Sequence, residues 1–302
     1  MAHHPLRARG DTAGPDRQAV RVLRQRLPVR PLTTADHDAA LECCARDRAA
    51  NVFVAARIVE GSLRTSPGAV VGHWNGSELA GLAWVSANVV PVELDDDGVA
   101  GVAQRISRMR RQVASIFGPS PQVTGLWDRL GPGWGPVRAV RTHQPLLTTS
   151  TKPSALGLEL DEGVRPARPG EVDIVLPAAA HMFTEEIGYP PYYGSDRGYR
   201  ASISSLIRAG HTFVRVEDGE VVFKADVGSL ALGCAQVQGV WLHPRLRGQG
   251  LSVPAMASVV EQVLGAGADE VSLYVNDYNE SARATYARCG FREVGAFTTV
   301  LL

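Results

Sequence analysis

Cysteine is scarce in this 302-residue chain, and the four present (Cys43, Cys44, Cys234 and Cys289) form no C-x-x-C pair, two of them being adjacent. That spacing excludes both a zinc-ribbon pattern and a disulfide framework, and it points to a reducing compartment. No run approaches the ~18 uninterrupted apolar residues of a spanning helix, and the N-terminus has no apolar core of signal-peptide type. A cytoplasmic protein with no membrane partner is the expectation. Net charge is absent too, since 31 basic side chains balance 31 acidic ones. A general nucleic-acid binder needs a basic field to displace counterions, so nucleic acid is not an expected partner. What remains is ordinary globular composition, 45% hydrophobic and 21% charged, in a length that suits one large domain or two smaller ones.

Residues 1–27 scatter Arg7, Arg9, Arg17, Arg21, Arg24 and Arg26 among small and polar residues. A flexible basic tail is expected there, with at most a short helix near Arg17 to Leu27. From Val29 the chain reads as a compact unit, and Val164 opens a weaker echo of it: "VRPLTTADHD" against "VRPARPGEVD". Each is a short strand, then a turn with acidic residues suited to a helix start. Both units then run through helical sequence into a hairpin, one turning at Asn75-Gly76 and the other at Asp218-Gly219, dipeptides that favour type I′ geometry. The turn-rich stretch 148–163 reads as the connection. Two similar domains are expected, over residues 28–155 and 156–302.

In the second unit, "LALGCAQVQGVWLH" reads as a strand that Pro244 ends, and "LSVPAMASVVEQVLGAG" as a helix with Val253, Met256, Val259, Val260, Val263 and Leu264 on one face. Between them lies R-L-R-G-Q-G. Two close glycines permit positive φ or close approach, and a helix start presents unpaired N–H groups, so the turn has the makings of an anion cradle beside Arg245 and Arg247. No lysine follows the glycines as in a nucleotide-hydrolysing loop, and G-x-G-x-x-G is absent. A strand at 270–276, a helix at 279–290 and a final strand complete the unit.

"VWLHPRLRGQG" resembles the acyl-coenzyme A motif of the GNAT superfamily of N-acetyltransferases, R-x-x-G-x-G, filled here by Arg245, Gly248 and Gly250. "NESARATYARCGF" resembles the superfamily's second signature, filled by Asn279, Ala282, Tyr286, Gly290 and Phe291. The resemblance covers about residues 160–302. It implies an α/β fold, a mixed and mostly antiparallel sheet flanked by helices in each of two tandem GNAT-like domains, in a layout similar to that of mycothiol synthase. It also implies acetyl-coenzyme A as co-substrate, no metal, and direct attack by a primary amine of a small molecule or protein.

The roles follow from the resemblance position by position. The backbone of Val240, Trp241 and Leu242 would pair with the pantetheine arm, and the turn of Arg245, Arg247, Gly248, Gln249, Gly250, Leu251, Ser252 and Val253 would hold the diphosphate. Asn279 is a cofactor contact, a helix cap, or both. Tyr286 is either a core tyrosine or the proton donor to the departing thiolate. The strands where the family often places a basic Glu offer Gln236, Gln238 and Tyr274 instead, so the general base is unassigned. His243 reads as a surface loop residue.

On the acceptor side, "HMFTEEIGYPPYYGSDRGYR" (181–200) sets Tyr189, Tyr192, Tyr193 and Tyr199 beside Glu185 and Glu186. Aromatic faces and carboxylates suit a cationic amine; a loop packed by its own aromatics reads equally well. The first unit has no glycine cradle: Asp95, Asp96 and Asp97 stand where the anion would, and Trp127 aligns with Tyr286. That unit is expected to be degenerate and non-catalytic, open to three roles: completing the acceptor site, mediating a homodimer, or stabilising its neighbour. The missing base also leaves open a non-catalytic acyl-coenzyme A sensor or scaffold.

Overall fold

A computed structural model describes residues 29–302; the expected basic tail and its short helix lie outside the described residues. The elements run β1 (Val29–Pro31), α1 (His37–Ala45), α2 (Arg48–Val59), α3 (Ser62–Thr65), β2 (Val70–Asn75), β3 (Glu78–Val85), β4 (Asn88–Val92), α4 (Asp96–Ile106), β5 (Ser115–Pro119), α5 (Ser120–Trp134) and β6 (Ala139–Thr149). There follow β7 (Arg165–Pro166), α6 (Val172–Ile187), α7 (Arg197–Arg208), β8 (Thr212–Glu217), β9 (Glu220–Ala231), β10 (Cys234–Leu242), α8 (Ser252–Gly265), β11 (Glu270–Tyr274), α9 (Glu280–Arg288) and β12 (Arg292–Leu301).

These strands make one sheet, ordered β1-β2-β3-β4-β5-β12-β6-β11-β10-β9-β8-β7. Outward from the centre, β12-β5-β4-β3-β2-β1 and β6-β11-β10-β9-β8-β7 are the same arrangement twice, each with a parallel pair, β4 with β5 and β10 with β11. The two units therefore share a mixed α/β fold. Each also lends its last strand to the other: β6 pairs with β11 through Leu146–Thr149, and β12 pairs with β5 through Phe297–Leu301. A strand of the first half thus lies beside the second half's motifs.

Local chemistry accounts for the details. Asp218 and Gly219 both have positive φ (52° and 80°), the type I′ pattern expected for that hairpin. The other hairpin differs. Asn75 still pairs with Glu78, so the turn is Gly76-Ser77 with positive φ on Gly76 alone, a type II′ pattern. α8 buries Met256, Val259, Val260, Val263 and Leu264 as its periodicity requires, and burying such side chains is worth roughly 1.5–3 kcal/mol each.

β10 is bent where it matters. Its register against β9 shifts between Gln236 and Val237 and again between Gln238 and Trp241, and Gly239 has φ +59°. Beneath this bulge the Lys224 ammonium meets the Asp226 carboxylate, which also accepts from Thr212 Oγ1 at 2.8 Å. Both charged residues are buried (1% and 6% exposed), and a Cβ on Gly239 would stand 3.3 Å from each. The pair fits under the strand because residue 239 has no side chain. Removing one partner strands a buried charge, so Asp226→Ala is expected to cost about 3–5 kcal/mol, and Lys224→Met with Asp226→Leu distinctly less. Urea midpoints at constant slope measure both; a double variant less stable than Asp226→Ala contradicts the expectation.

Candidate active site

β10 and β11 are hydrogen-bonded only from Cys234–Gln236 to Glu270–Ser272. Past Gln236, β10 stays with β9 out to Leu242, whereas β11 goes with β6. The two parallel strands therefore part, and β10 beyond Gln236 has no ladder partner on its β11 side among the described residues. Unpaired backbone beside a cleft is a strand edge to which an extended ligand can add. Val240 and Leu242 pack toward α8, while Trp241 is buried on the α6 side near His181 and His243, with its Nε1 unpartnered.

The edge is followed by one short helical turn, Pro244–Leu246, and then by the glycine turn. Gly248 and Gly250 have φ +75° and +81°, and a Cβ at either would meet nothing within 4 Å. Glycine is needed there for conformation, not for room. Leu251, at the N-cap of α8, offers the first turn no side-chain acceptor, and the amides of Gly248, Gly250 and Ser252 have no backbone acceptor among the described residues. Gln249 Nε2 donates to the Arg245 carbonyl at 2.7 Å, and Ser252 Oγ lies 3.0 Å from Thr285 Oγ1. The two arginines are differently engaged: Arg245 sits 3.6 Å from Glu217, while Arg247 donates to Leu242 O at 3.0 Å and to Glu185 Oε2 at 2.7 Å. Arg247 thus ties the turn to the end of α6.

Asn279 caps α9, its side chain accepting from the Ala282 amide at 3.1 Å. One helical face on, Tyr286 is buried with its ring edge-on to Phe291 at 5.8 Å. Burial, followed by the charge of Glu186, pushes its phenol pKa up, so it holds its proton. The same causes, opposed by Arg141, push Tyr274 up to about 12. Neither hydroxyl has a protein hydrogen bond among the described residues.

The aromatic and acidic segment 181–200 begins inside α6, continues as loop and enters α7. Glu185 and Glu186 end α6 beside the cleft, each already facing an arginine: Arg247, and Arg141 of β6 at 3.3 Å. Tyr189 lies 4.7 Å beneath the Arg138 guanidinium and packs on Phe183. Tyr192 packs on Tyr199, whose hydroxyl donates to Ala179 O, while Tyr193 is exposed and apart. The aromatics pack on one another, and the two carboxylates stand half exposed at the end of α6. Sequence reasoning missed the contribution of β6. Arg138, Arg141 and Gln144, which donates to Asn276 Oδ1 at 2.9 Å just ahead of Asn279, come from the first half, and nothing in their spacing advertised it.

The corresponding place in the first half is closed. Residues 93–95 alone separate β4 from α4, against 243–251 between β10 and α8. Asp95 caps α4, accepting from the Gly98 amide at 2.8 Å, and lies 3.1 Å from the buried His73 Nε2; Asp96 pairs with Arg129 at 2.6 Å. The chain's own carboxylate occupies the helix start that an anion would use. On α5, Trp127 is partly buried against the core and offers no phenol.

Residues 179–291 match the family model described as Acetyltransferase (GNAT) family. This segment is a GNAT domain. Residues 68–175 match a different one, Domain of unknown function (DUF4081). Solved structures match nearly the whole chain at the level of fold. A GCN5-related N-acetyltransferase from Sphaerobacter thermophilus is 19% identical with a TM-score of 0.55, covering 90% of this chain and 94% of its own. A tandem GNAT protein from the clavulanic acid biosynthesis pathway is 16% identical with a TM-score of 0.52, covering 90% and 97%. A GNAT-family acetyltransferase from Colwellia psychrerythraea is 12% identical with a TM-score of 0.51, covering 91% and 99%. The match supports acyl transfer as the general chemistry of this segment. Among the described residues, no helix is long and apolar enough to cross a membrane.

Proposed function

We propose that the chain is an acetyl-coenzyme A-dependent N-acetyltransferase that moves the acetyl group to a primary amine by direct attack. The observation that carries the reading is the unpaired β10 edge followed, after the short helical turn Pro244–Leu246, by a positive-φ glycine turn and an uncapped helix start. Bound acetyl-coenzyme A supplies an activated acyl group. The residues present fit such a ligand: Val240, Trp241 and Leu242 offer backbone to an extended arm, and the turn from Arg245 to Val253 offers amides, a helix dipole and guanidinium groups to a diphosphate. Charge-assisted hydrogen bonds of this kind contribute roughly 1.5–3 kcal/mol each. Asn279 steadies the rim by capping α9, and Tyr286 keeps a proton available for a leaving thiolate. The second half carries the chemistry, and the first half shapes the cleft.

Thiol release tests the reading, with purified protein, acetyl-coenzyme A and a panel of small amines, polyamines, lysine peptides and peptide N-termini. Amine-dependent release with at least one class is the expected result. Tight acetyl-coenzyme A binding with no release from any class favours a sensor or scaffold, and undetectable binding removes both readings.

A further inference from the structure

The acyl-transfer reading leaves one proton without a destination. An amine that attacks a thioester must lose a proton, and the positions on β10 and β11 where a carboxylate could be looked for hold Gln236, Gln238 and Tyr274. Glu186 comes from elsewhere, the last turn of α6. Arg141 grips it at two points: Nη2 donates to the Glu186 carbonyl at 2.7 Å, and Nη1 to Oε1 at 3.3 Å. Arg141 is nearly enclosed, its side chain 13% exposed, whereas that of Glu186 is 47% exposed. One end of the pair is thus fixed in the protein and the other is half exposed, with Oε2 unpartnered among the described residues. Glu186 is also close enough to Tyr274 on β11 and Tyr286 on α9 for its charge to act on both phenols. Its neighbour Glu185 is committed to Arg247.

We infer that Glu186 accepts the proton of the attacking amine, and that Arg141, reaching across on the strand the first half lends, is its positioning residue. The inference rests on the acyl-transfer reading. As the amine nitrogen bonds to the acyl carbon, its proton passes to the Glu186 carboxylate. The carbon–sulfur bond breaks, and the thiolate takes the proton of Tyr286. Glu186 then returns its proton through water to the Tyr286 phenolate, so amine and thioester give amide and thiol with charge balanced. Arg141 keeps the carboxylate aimed, which gives a half without a cradle a place beside the site.

The test uses the full chain, with Glu186→Gln, Arg141→Gln, Arg141→Lys, their combinations with Glu186→Gln, and Glu185→Gln as comparison. With an alkylamine acceptor, Glu186→Gln is expected to lower kcat at least ~100-fold while the acetyl-coenzyme A Kd stays within about twofold. The loss shrinks at least tenfold with an aromatic amine, which is neutral at pH 7 and sheds its proton readily once bonded to the acyl carbon. Arg141→Gln lowers kcat about tenfold, with Arg141→Lys between it and wild type, and neither adds to the loss in the Glu186→Gln background. A readout free of turnover is benzylamine binding to protein saturated with coenzyme A, followed by calorimetry; Glu186→Gln weakens it at least tenfold and Glu185→Gln much less. An equal kcat loss for both amine types, additive Arg141 and Glu186 losses, or unchanged benzylamine binding overturns the assignment. Acetyl-coenzyme A binding without release from any amine overturns it too while the cofactor seat stands, and no acetyl-coenzyme A binding by wild type overturns the reading beneath it.

Discussion

Replacing Gly248 and Gly250 together by Asp is expected to raise the Kd for acetyl-coenzyme A at least ~100-fold with little change in the unfolding midpoint. Both glycines are exposed, and a Cβ at either has empty space around it, so steric damage to the fold is small. Their positive φ is a region that Asp and Asn tolerate better than other side chains. What changes is charge. Two carboxylates would stand over the uncapped start of α8, and unit charges 4 Å apart at an effective dielectric of 20 interact by about 4 kcal/mol, here as repulsion from a diphosphate. The Asn pair separates charge from backbone: it has the same shape without the charge, and its Kd is expected within about tenfold of wild type. Calorimetry at 50 mM and 300 mM salt checks both, because the Asp penalty shrinks under screening and the Asn penalty does not. Equal effects of Asp and Asn would mean that turn conformation, not an anion, is what the glycines serve.

The first half supplies its own version of that experiment. Asp95 already stands at the start of α4, takes the Gly98 amide and is braced by His73. The helix start is filled from within, and the short connection at residues 93–95 leaves no turn for amides to line. Where the second half has an open turn, the first half has a capped helix start. What the half keeps is the strand exchange: β6 in the second half's sheet, with Arg138, Arg141 and Gln144 facing the segment and loop that border the cleft. Of the roles open to it, completing the acceptor side is the one these contacts favour.

Local features were legible in the sequence because local chemistry determines them. The α8 face, the Asp218-Gly219 turn, the cradle glycines and the Asn279 cap each depend on residues within a few positions of one another. The repeat was legible from two short strand-turn openings. Strand exchange was not, since β6 and β12 each bury a continuous run that marks a strand but not its partner, and pairing between distant strands is settled by packing. Glu185 and Glu186 were visible as a pair of carboxylates, but their division of labour was not. It depends on Arg247 and Arg141, 62 and 45 residues away.

For Tyr286→Phe a fall in kcat within the ~10²–10⁴ range of acid–base catalysis is expected, about 3–5 kcal/mol, with acetyl-coenzyme A affinity retained. The size of the fall depends on how acidic the phenol is when sulfur leaves. A thiol titrates near 8.5 and an ordinary tyrosine near 10, and burial and Glu186 push Tyr286 further up, so in the resting site full proton transfer to a thiolate runs uphill. If Glu186 takes the amine proton, however, its negative charge disappears as the carbon–sulfur bond begins to break. The same event that frees the nucleophile then makes Tyr286 a better acid. Two measurable consequences follow. No alkaline loss of kcat below pH ~10 is to be traced to Tyr286, because a raised phenol pKa keeps the acid protonated throughout that range. The two substitutions are also coupled: with Gln at 186 the opposing charge is already gone and proton acceptance limits turnover, so Tyr286→Phe costs clearly less there than in wild type. Additive losses in the double-mutant cycle would separate the two groups into independent roles, and unchanged turnover in Tyr286→Phe would return this tyrosine to the core in which it is packed.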